Sequence, residues 1–334
     1  MSGGLPNLFL PGAQKSATTT AVDLLGSHRE VYTSARKEPH FFSIDRKFEQ
    51  GERYYRQCYR GWRGERYVLD GSQCYLPLPP VPERIVRLLG TDLKFIIVLR
   101  HPVDRAASAF AHMRIHRGGE MVRAIRDIVP PNLGSLSLDD LLVWEAAEVR
   151  RRLACGDIIG RHDTWTEYLF PFNYFQVSAY AWQIENYLKH FPRERFLFLT
   201  FEEVTRDQDG VKRKCAAFLD LDSAGFGTKP LRQRRETLQY KLPALQSLQY
   251  LRGPLRCIVP EPIAHRLRQF ERRYLVEVPN MKFDDGTCRV LSRLYAPEID
   301  RVAELTGLDL EWGNGQRKRV VATKSVSVGL DSTP

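Results

Sequence analysis

The sequence contains no uninterrupted apolar run approaching the roughly 18 residues that a membrane-spanning helix needs. Its first apolar stretch, residues 5–10, is broken by Pro6 and Asn7 and is too short for the core of a secretion signal. These absences make a cytoplasmic protein without a membrane span the expectation. Cysteine is sparse and patternless: the six, at 58, 74, 155, 215, 257 and 288, form no CxxC pair and no regular spacing. That argues against a zinc site or a small disulfide framework and leaves free thiols as the reading. No zinc-finger spacing, aromatic RNA-binding motif or homeodomain-like pattern accompanies the basic residues, so nucleic acid is not the expected partner. An internal repeat is also lacking.

The 334 residues are 43% hydrophobic and 27% charged, which is too apolar for a disordered chain and sufficient for the core of an enzyme-sized body. The formal net charge of +10 is spread along the chain, with local clusters at Arg150, Arg151 and Arg152 and at Arg232, Arg234 and Arg235. Such a balance favours anionic ligands, a nucleotide or an acidic glycan among them. The plainer reading of each arginine cluster is a solvated helix face.

Residues 8–10, 31–33, 67–70, 94–99 and 196–199 read as short strands. The clearest is Phe95-Ile96-Ile97-Val98-Leu99, continuous and β-branched, as in a strand buried on both faces of a parallel sheet. Helical patterns lie between them, after Thr18, at 82–89 and at 178–191, so the β-α-β order of an α/β fold recurs. Segments from Ala244, Pro262 and Arg289 also read as helical, with Leu291, Leu294, Ile299, Val302 and Leu305 spaced for one buried face. Residues 118–170 carry a helical piece near 139–153 and a loop holding His162, Asp163 and Trp165, an insertion of the kind that shapes a substrate cleft. The last residues, 314–334, read as a loose basic tail.

Three constellations carry chemistry. Gly12-Ala13-Gln14-Lys15-Ser16-Ala17-Thr18-Thr19-Thr20 stands at a strand-to-helix junction, where unpaired N–H groups and the helix dipole hold a phosphate and Lys15 adds a mobile charge. Taken alone this is most simply an N-cap, and the GxxxxGK[ST] order of a Walker A loop is absent. Arg100-His101-Pro102-Val103-Asp104-Arg105-Ala106-Ala107-Ser108 follows the best strand directly. Arg100 therefore sits on the ligand-binding rim of an open sheet, unless it merely pairs with Asp104. In Lys37-Glu38-Pro39-His40-Phe41-Phe42, the aromatic pair beside Glu38 would desolvate it and raise its pKa toward that of a general base. The bland account is an exposed acid and a packed histidine.

Together these stretches resemble the sulfotransferases. Lys15-Ser16-Ala17-Thr18-Thr19 is similar to their 5'-phosphosulfate loop, with Ala17 where glycine is usual. Arg100 and the Ser108 eight residues on resemble their 3'-phosphate signature. The Lys37–Phe42 stretch resembles the glycan-modifying, heparan sulfate type, whose glutamate deprotonates the acceptor. Asp70-Gly71-Ser72-Gln73 is the nearest match to a lysine-and-hydroxyl strand that follows in that family, with Gly71 in place of the lysine. The later residues, from Ser178-Ala179-Tyr180 to Trp312, resemble bacterial members more diffusely.

The resemblance implies a single P-loop-like α/β domain over residues 5–313, with a central parallel sheet flanked by helices and a helical C-terminal part. It implies 3'-phosphoadenosine 5'-phosphosulfate as donor, held by Lys15, Ser16, Ala17, Thr18, Thr19 and Thr20 with Arg100 and Ser108, and no metal. Arg232, Arg234 and Arg235 are candidates to complete the nucleotide site, and Ser72 and Tyr75 to touch acceptor or nucleotide. Lys15 and Glu38 carry the chemistry, or His40 replaces Glu38 as base, as in enzymes acting on small phenols and alcohols. The acceptor implied is a hydroxyl or amine, with a leaning to an anionic sugar or polysaccharide and with a lipid, a small alcohol or a peptide tyrosine left open. A P-loop kinase or NTPase and a non-catalytic anion-binding protein stand as alternatives.

Overall fold

A computed structural model describes residues 4–34, 37–116, 123–158, 163–227, 239–240, 276–277, 281–310 and 312. Five of its strands form an all-parallel sheet: β1 (Leu8–Phe9), β2 (Val31–Thr33), β3 (Tyr67–Asp70), β4 (Lys94–Leu99) and β5 (Phe196–Thr200). Their order is β2-β3-β1-β4-β5. A two-residue antiparallel pair, β6 (Gln239–Tyr240) and β7 (Val276–Glu277), stands apart. Among the described residues the helices are α1 (Thr18–Leu25), α2 (Asp45–Phe48), α3 (Gly51–Gln57), α4 (Val81–Leu89), α5 (Pro102–His116) and α6 (Leu138–Ala154). They continue with α7 (Asp163–Glu167), α8 (Ala181–Leu188), α9 (Phe201–Arg206), α10 (Gln208–Leu219) and α11 (Asp285–Thr306).

The unbroken apolar run of β4 has a direct cause. Phe95, Ile97 and Leu99 enter one buried layer with Phe9, while Ile96 and Val98 enter the opposite one with Leu8 and Leu10. These five apolar residues of β4 are 0% exposed, each side chain contributing roughly 1.5–3 kcal/mol by burial. Val81 and Ile85 of α4 and Ile184 and Tyr187 of α8 cover the first face. The second is covered by Ala21, Val22, Leu24 and Leu25 of α1 and by Val211, Cys215 and Leu219 of α10. Helices on both faces make this the α/β sandwich that the sequence predicts.

A further apolar cluster joins α5, α6 and α11, and here two expectations change. Arg152 does not lie on a solvated face: it follows Glu145 and Val149 on the inward stripe of α6 and is 5% exposed. The helix expected from Ser178 begins instead at Ala181, after a 3-10 turn at Gln176–Ser178. That turn is held by buried charge. Arg105 donates to Ser178 Oγ and to the Tyr174 carbonyl, each at 2.6 Å. Glu145 accepts from the N–H groups of Phe175 and Gln176 at 2.8 Å, and Tyr295 Oη donates to the Phe175 carbonyl at 2.7 Å. The helices expected from Ala244 and Pro262, the tail at 314–334, His162 and the cluster Arg232, Arg234 and Arg235 lie outside the described residues.

Candidate active site

From β1 the chain moves through α1 toward β2 and β3, whereas from β4 it moves the other way to β5. The carboxyl ends of β1 and β4 therefore flank the point where strand order reverses, the crevice in which open α/β sheets bind ligands. The β1 loop carrying Lys15 and the end of β4 carrying Arg100 meet there. Arg100 Nη1 donates to the Lys15 carbonyl at 3.0 Å. The Arg100 guanidinium lies 4.3 Å from the centre of the Phe201 ring, and Tyr180 Oη donates to the Arg100 carbonyl at 3.0 Å. Burial lowers the pKa of Arg100, against the pull of Asp104 and Glu202, and pushes Tyr180 up to about 12. Arginine nonetheless stays charged at any working pH, so the crevice holds a largely desolvated cation.

The loop itself is shaped for an anion by its backbone. Lys15 and Ala17, on either side of Ser16, adopt the left-handed conformation, with φ of 73° and 61°. Left-handed residues of this kind build anion-binding concavities, and here the turn is closed by the Ser16 N–H, which donates to the Ala13 carbonyl at 3.2 Å. Ala17 is the residue before α1 and provides no side-chain cap, so the first N–H groups of the helix are left for a ligand. Of the three threonines, Thr18 and Thr20 are buried, at 2% and 5% exposure, and Thr19 keeps more surface. Ser16 is fully buried beside Tyr180. Its place is in the support of the loop. Ser108 lies half-buried two turns into α5, the helix that Pro102 opens directly after Arg100.

Glu38 and His40 follow β2, the edge strand. Glu38 Oε2 lies 3.5 Å from His40 Nε2, and the side chains keep 23% and 22% exposure. His40 takes a left-handed backbone, φ 56°, fixed by its N–H donating to Ser72 Oγ at 3.0 Å. Its Nδ1 is 3.0 Å from Cys74 Sγ, and its ring meets Trp165 edge-on at 5.6 Å. Trp165, expected in a loop, instead lies in the short helix α7 and brings the segment between α6 and β5 against His40. Cys74 is itself inert, since burial pushes its thiol well above the ordinary range. Beneath lies Asp70, 0% exposed, accepting from Tyr55 Oη at 2.6 Å, Tyr75 Oη at 3.1 Å and the Ser72 N–H at 2.9 Å.

One side chain joins the two sides. Thr18 Oγ1 donates to Gln73 Oε1 at 2.5 Å, and Gln73 Nε2 donates to Glu38 Oε1 at 3.1 Å. Among the residues that sequence reasoning did not place in the site are Gln73, Cys74, Trp165 and Tyr180. Gln73 closes the Asp70–Gln73 stretch already likened to the family's hydroxyl strand, yet nothing local gives it a role, and no short-range pattern marks Cys74; an aromatic residue between core elements was the available signal for Trp165.

A family model described as the sulfotransferase domain matches residues 5–242. This chain belongs to the sulfotransferase family. It is 27% identical over 218 residues to mouse heparan sulfate glucosamine 3-O-sulfotransferase 3B1, covering 65% of this chain but 46% of the relative. The chain thus spans about half the length of the first curated relatives it matches. Human heparan sulfate glucosamine 3-O-sulfotransferase 6 is 26% identical over 309 residues, 92% of this chain and 74% of the relative. Among solved structures, a sulfotransferase from Alicyclobacillus acidocaldarius superposes with a TM-score of 0.55 at 25% identity, covering 92% of this chain and 99% of the other.

Within this sulfotransferase one departure from the family pattern has a structural account, and one expectation for the site changes. Gly71 stands where a lysine is usual, and a Cβ there would lie 2.7 Å from Val22 Cγ2 and 3.3 Å from the Lys37 carbonyl, so α1 leaves no room for a side chain. Ser72 and Tyr75 do not offer a surface to acceptor or nucleotide. Both are 0% exposed and bond inward, Ser72 to the His40 N–H and Tyr75 to Asp70 and the Phe42 N–H.

Proposed function

We propose that this sulfotransferase moves a sulfuryl group from 3'-phosphoadenosine 5'-phosphosulfate to a hydroxyl or amine of a carbohydrate. The observation that carries the reading is the contact of Arg100 with the Lys15 loop at the switch point, where one doubly phosphorylated nucleotide reaches both. The left-handed loop and the start of α1 hold the 5'-phosphate, and the remaining donors of Arg100, with Ser108, hold the 3'-phosphate. Glu38, with His40 against it, takes the acceptor proton as the acceptor oxygen or nitrogen bonds to sulfur. The bond from sulfur to the bridging oxygen breaks, its electron pair leaving with adenosine 3',5'-bisphosphate, and Lys15 stabilises that charge. The carbohydrate acceptor is supported by the glycan-modifying relatives and by the net charge of +10.

Calorimetric titration with adenosine 3',5'-bisphosphate beside AMP tests the donor. The bisphosphate binds more tightly, and Arg100→Ala removes about tenfold or more of that preference, the value of a charge-assisted bond. Equal affinity for both nucleotides would refute the assignment. Magnesium-dependent ATP turnover without bisphosphate binding would put a kinase in its place.

A further inference from the structure

We infer that Gln73 is a positioning residue that registers the donor loop against the acceptor base; the inference rests on the function proposed above. Thr18 is fixed at the start of α1 and is 2% exposed, so its hydroxyl is a rigid anchor. That hydroxyl donates to Gln73 Oε1 at 2.5 Å, which orients the amide. Reversing the amide would set a carbonyl against the Glu38 carboxylate. In the observed orientation Nε2 donates to Glu38 Oε1 at 3.1 Å and leaves Oε2 at 3.5 Å from His40 Nε2. The carboxylate is thereby held from both sides, with its two oxygens in different roles.

The linkage explains a feature the motif reading left over. Thr18 belongs to the loop stretch by sequence, yet its hydroxyl is spent on Gln73, the neighbour of Glu38. The helix N–H groups and Lys15 bind the donor, while Thr18 and Gln73 transmit the position of that helix end to Glu38. A glutamine is suited to the task because one planar group both accepts from a hydroxyl and donates to a carboxylate.

Two variants test this with 3'-phosphoadenosine 5'-phosphosulfate as donor and desulfated heparan sulfate as acceptor. Gln73→Leu keeps the volume and removes both bonds: kcat falls about tenfold, the scale of a misplaced catalytic group, while donor KM stays within about twofold. Gln73→Glu keeps the acceptor for Thr18 but sets a carboxylate beside Glu38, so the acidic limb of the kcat profile moves up by about one pH unit. The ionisable neighbours of Glu38, namely Lys37 next in the chain, His40, Cys74 and the Asp70 behind it, are the same in both proteins, so the moving limb reports position 73. A Gln73→Leu protein with unchanged kcat, or one whose loss lies in donor KM, overturns the inference, as does an unmoved limb in Gln73→Glu. Absence of transfer by the unmodified protein would instead overturn the proposed function, and this inference with it.

Discussion

Along the β1–β4 edge the groups proposed to meet the donor are mainly backbone: left-handed Lys15 and Ala17, and the first N–H groups of α1, with the half-buried Arg100 beside them. Along the β2–β3 edge the arrangement is almost wholly side chain, from Gln73 and Glu38 to His40, Cys74 and Trp165. Under the proposed function, the difference follows from what each side handles. A phosphate is the same in every turnover and is met by N–H groups that any residue supplies, whereas a proton must be removed at one atom by one group. Substitutions on the donor side should therefore act through backbone conformation, and those on the acceptor side through chemistry.

The comparison breaks most visibly at Glu38. Replacing it with Gln keeps the bond from Gln73 but removes the proton acceptor, and transfer falls by about a hundredfold or more, with bisphosphate affinity retained. His40→Ala loses less, because the carboxylate remains. Initial rates of the two variants at saturating donor decide it: a nearly normal rate for Glu38→Gln would hand the role of base to His40. Next in size is Asp70→Ala, which strands the hydroxyls of Tyr55 and Tyr75 and the Ser72 N–H below the acceptor side. Urea denaturation should show a loss of about 3 kcal/mol, the cost of leaving buried donors unmatched. A change within 1 kcal/mol would mean water replaces the carboxylate.

The same contrast decides what was legible in the sequence. The five strands, Lys15 and Arg100 obey local rules, since an apolar run, a strand end and a helix start are each set within a few residues. Local rules also name Glu38 and His40 as candidates, but not their arrangement. Gln73 meets Thr18 across 55 positions and Glu38 across 35, distances over which periodicity carries no signal. Arg152 was misread for a similar reason: three consecutive arginines resemble a solvated face until the partners of α6 are known. The glutamate that anchors the 174–178 turn, Glu145, gave no sign at all in its own stretch of helix.

That turn sharpens the comparison, because it precedes Tyr180, whose hydroxyl holds the Arg100 carbonyl. The donor side is backbone at its face but rests on a buried side-chain network. Burial pushes Glu145 up to about 7 from 4.5, outweighing the bonds from Gln176 and Phe175 and the charge of Arg105. A carboxyl with a higher pKa in the folded than in the unfolded state binds its proton more firmly when folded. Its contribution is complete below pH 4.5 and declines as pH rises through about 7. Denaturation midpoints taken across that window should fall with pH, and Glu145→Gln should flatten the slope. A slope unchanged in the variant would show that the carboxylate is already ionised against Arg105.

The smallest effect is the one that best isolates backbone from side chain. Ala17 occupies a left-handed conformation, φ 61° and ψ 21°, at the residue before α1. A Cβ in that region costs roughly 1–2 kcal/mol, and glycine relieves it while adding roughly 0.4–1 kcal/mol of chain entropy to be lost on folding. Ala17→Gly should therefore stabilise the protein by about 0.5–1 kcal/mol, a rise in Tm of about 2 °C by calorimetry. Nucleotide affinity should hardly move, because alanine already adopts the geometry that points the N–H groups at the phosphate. A variant that gained affinity but not stability would show that the methyl group obstructs the ligand and that the loop conformation costs the fold nothing.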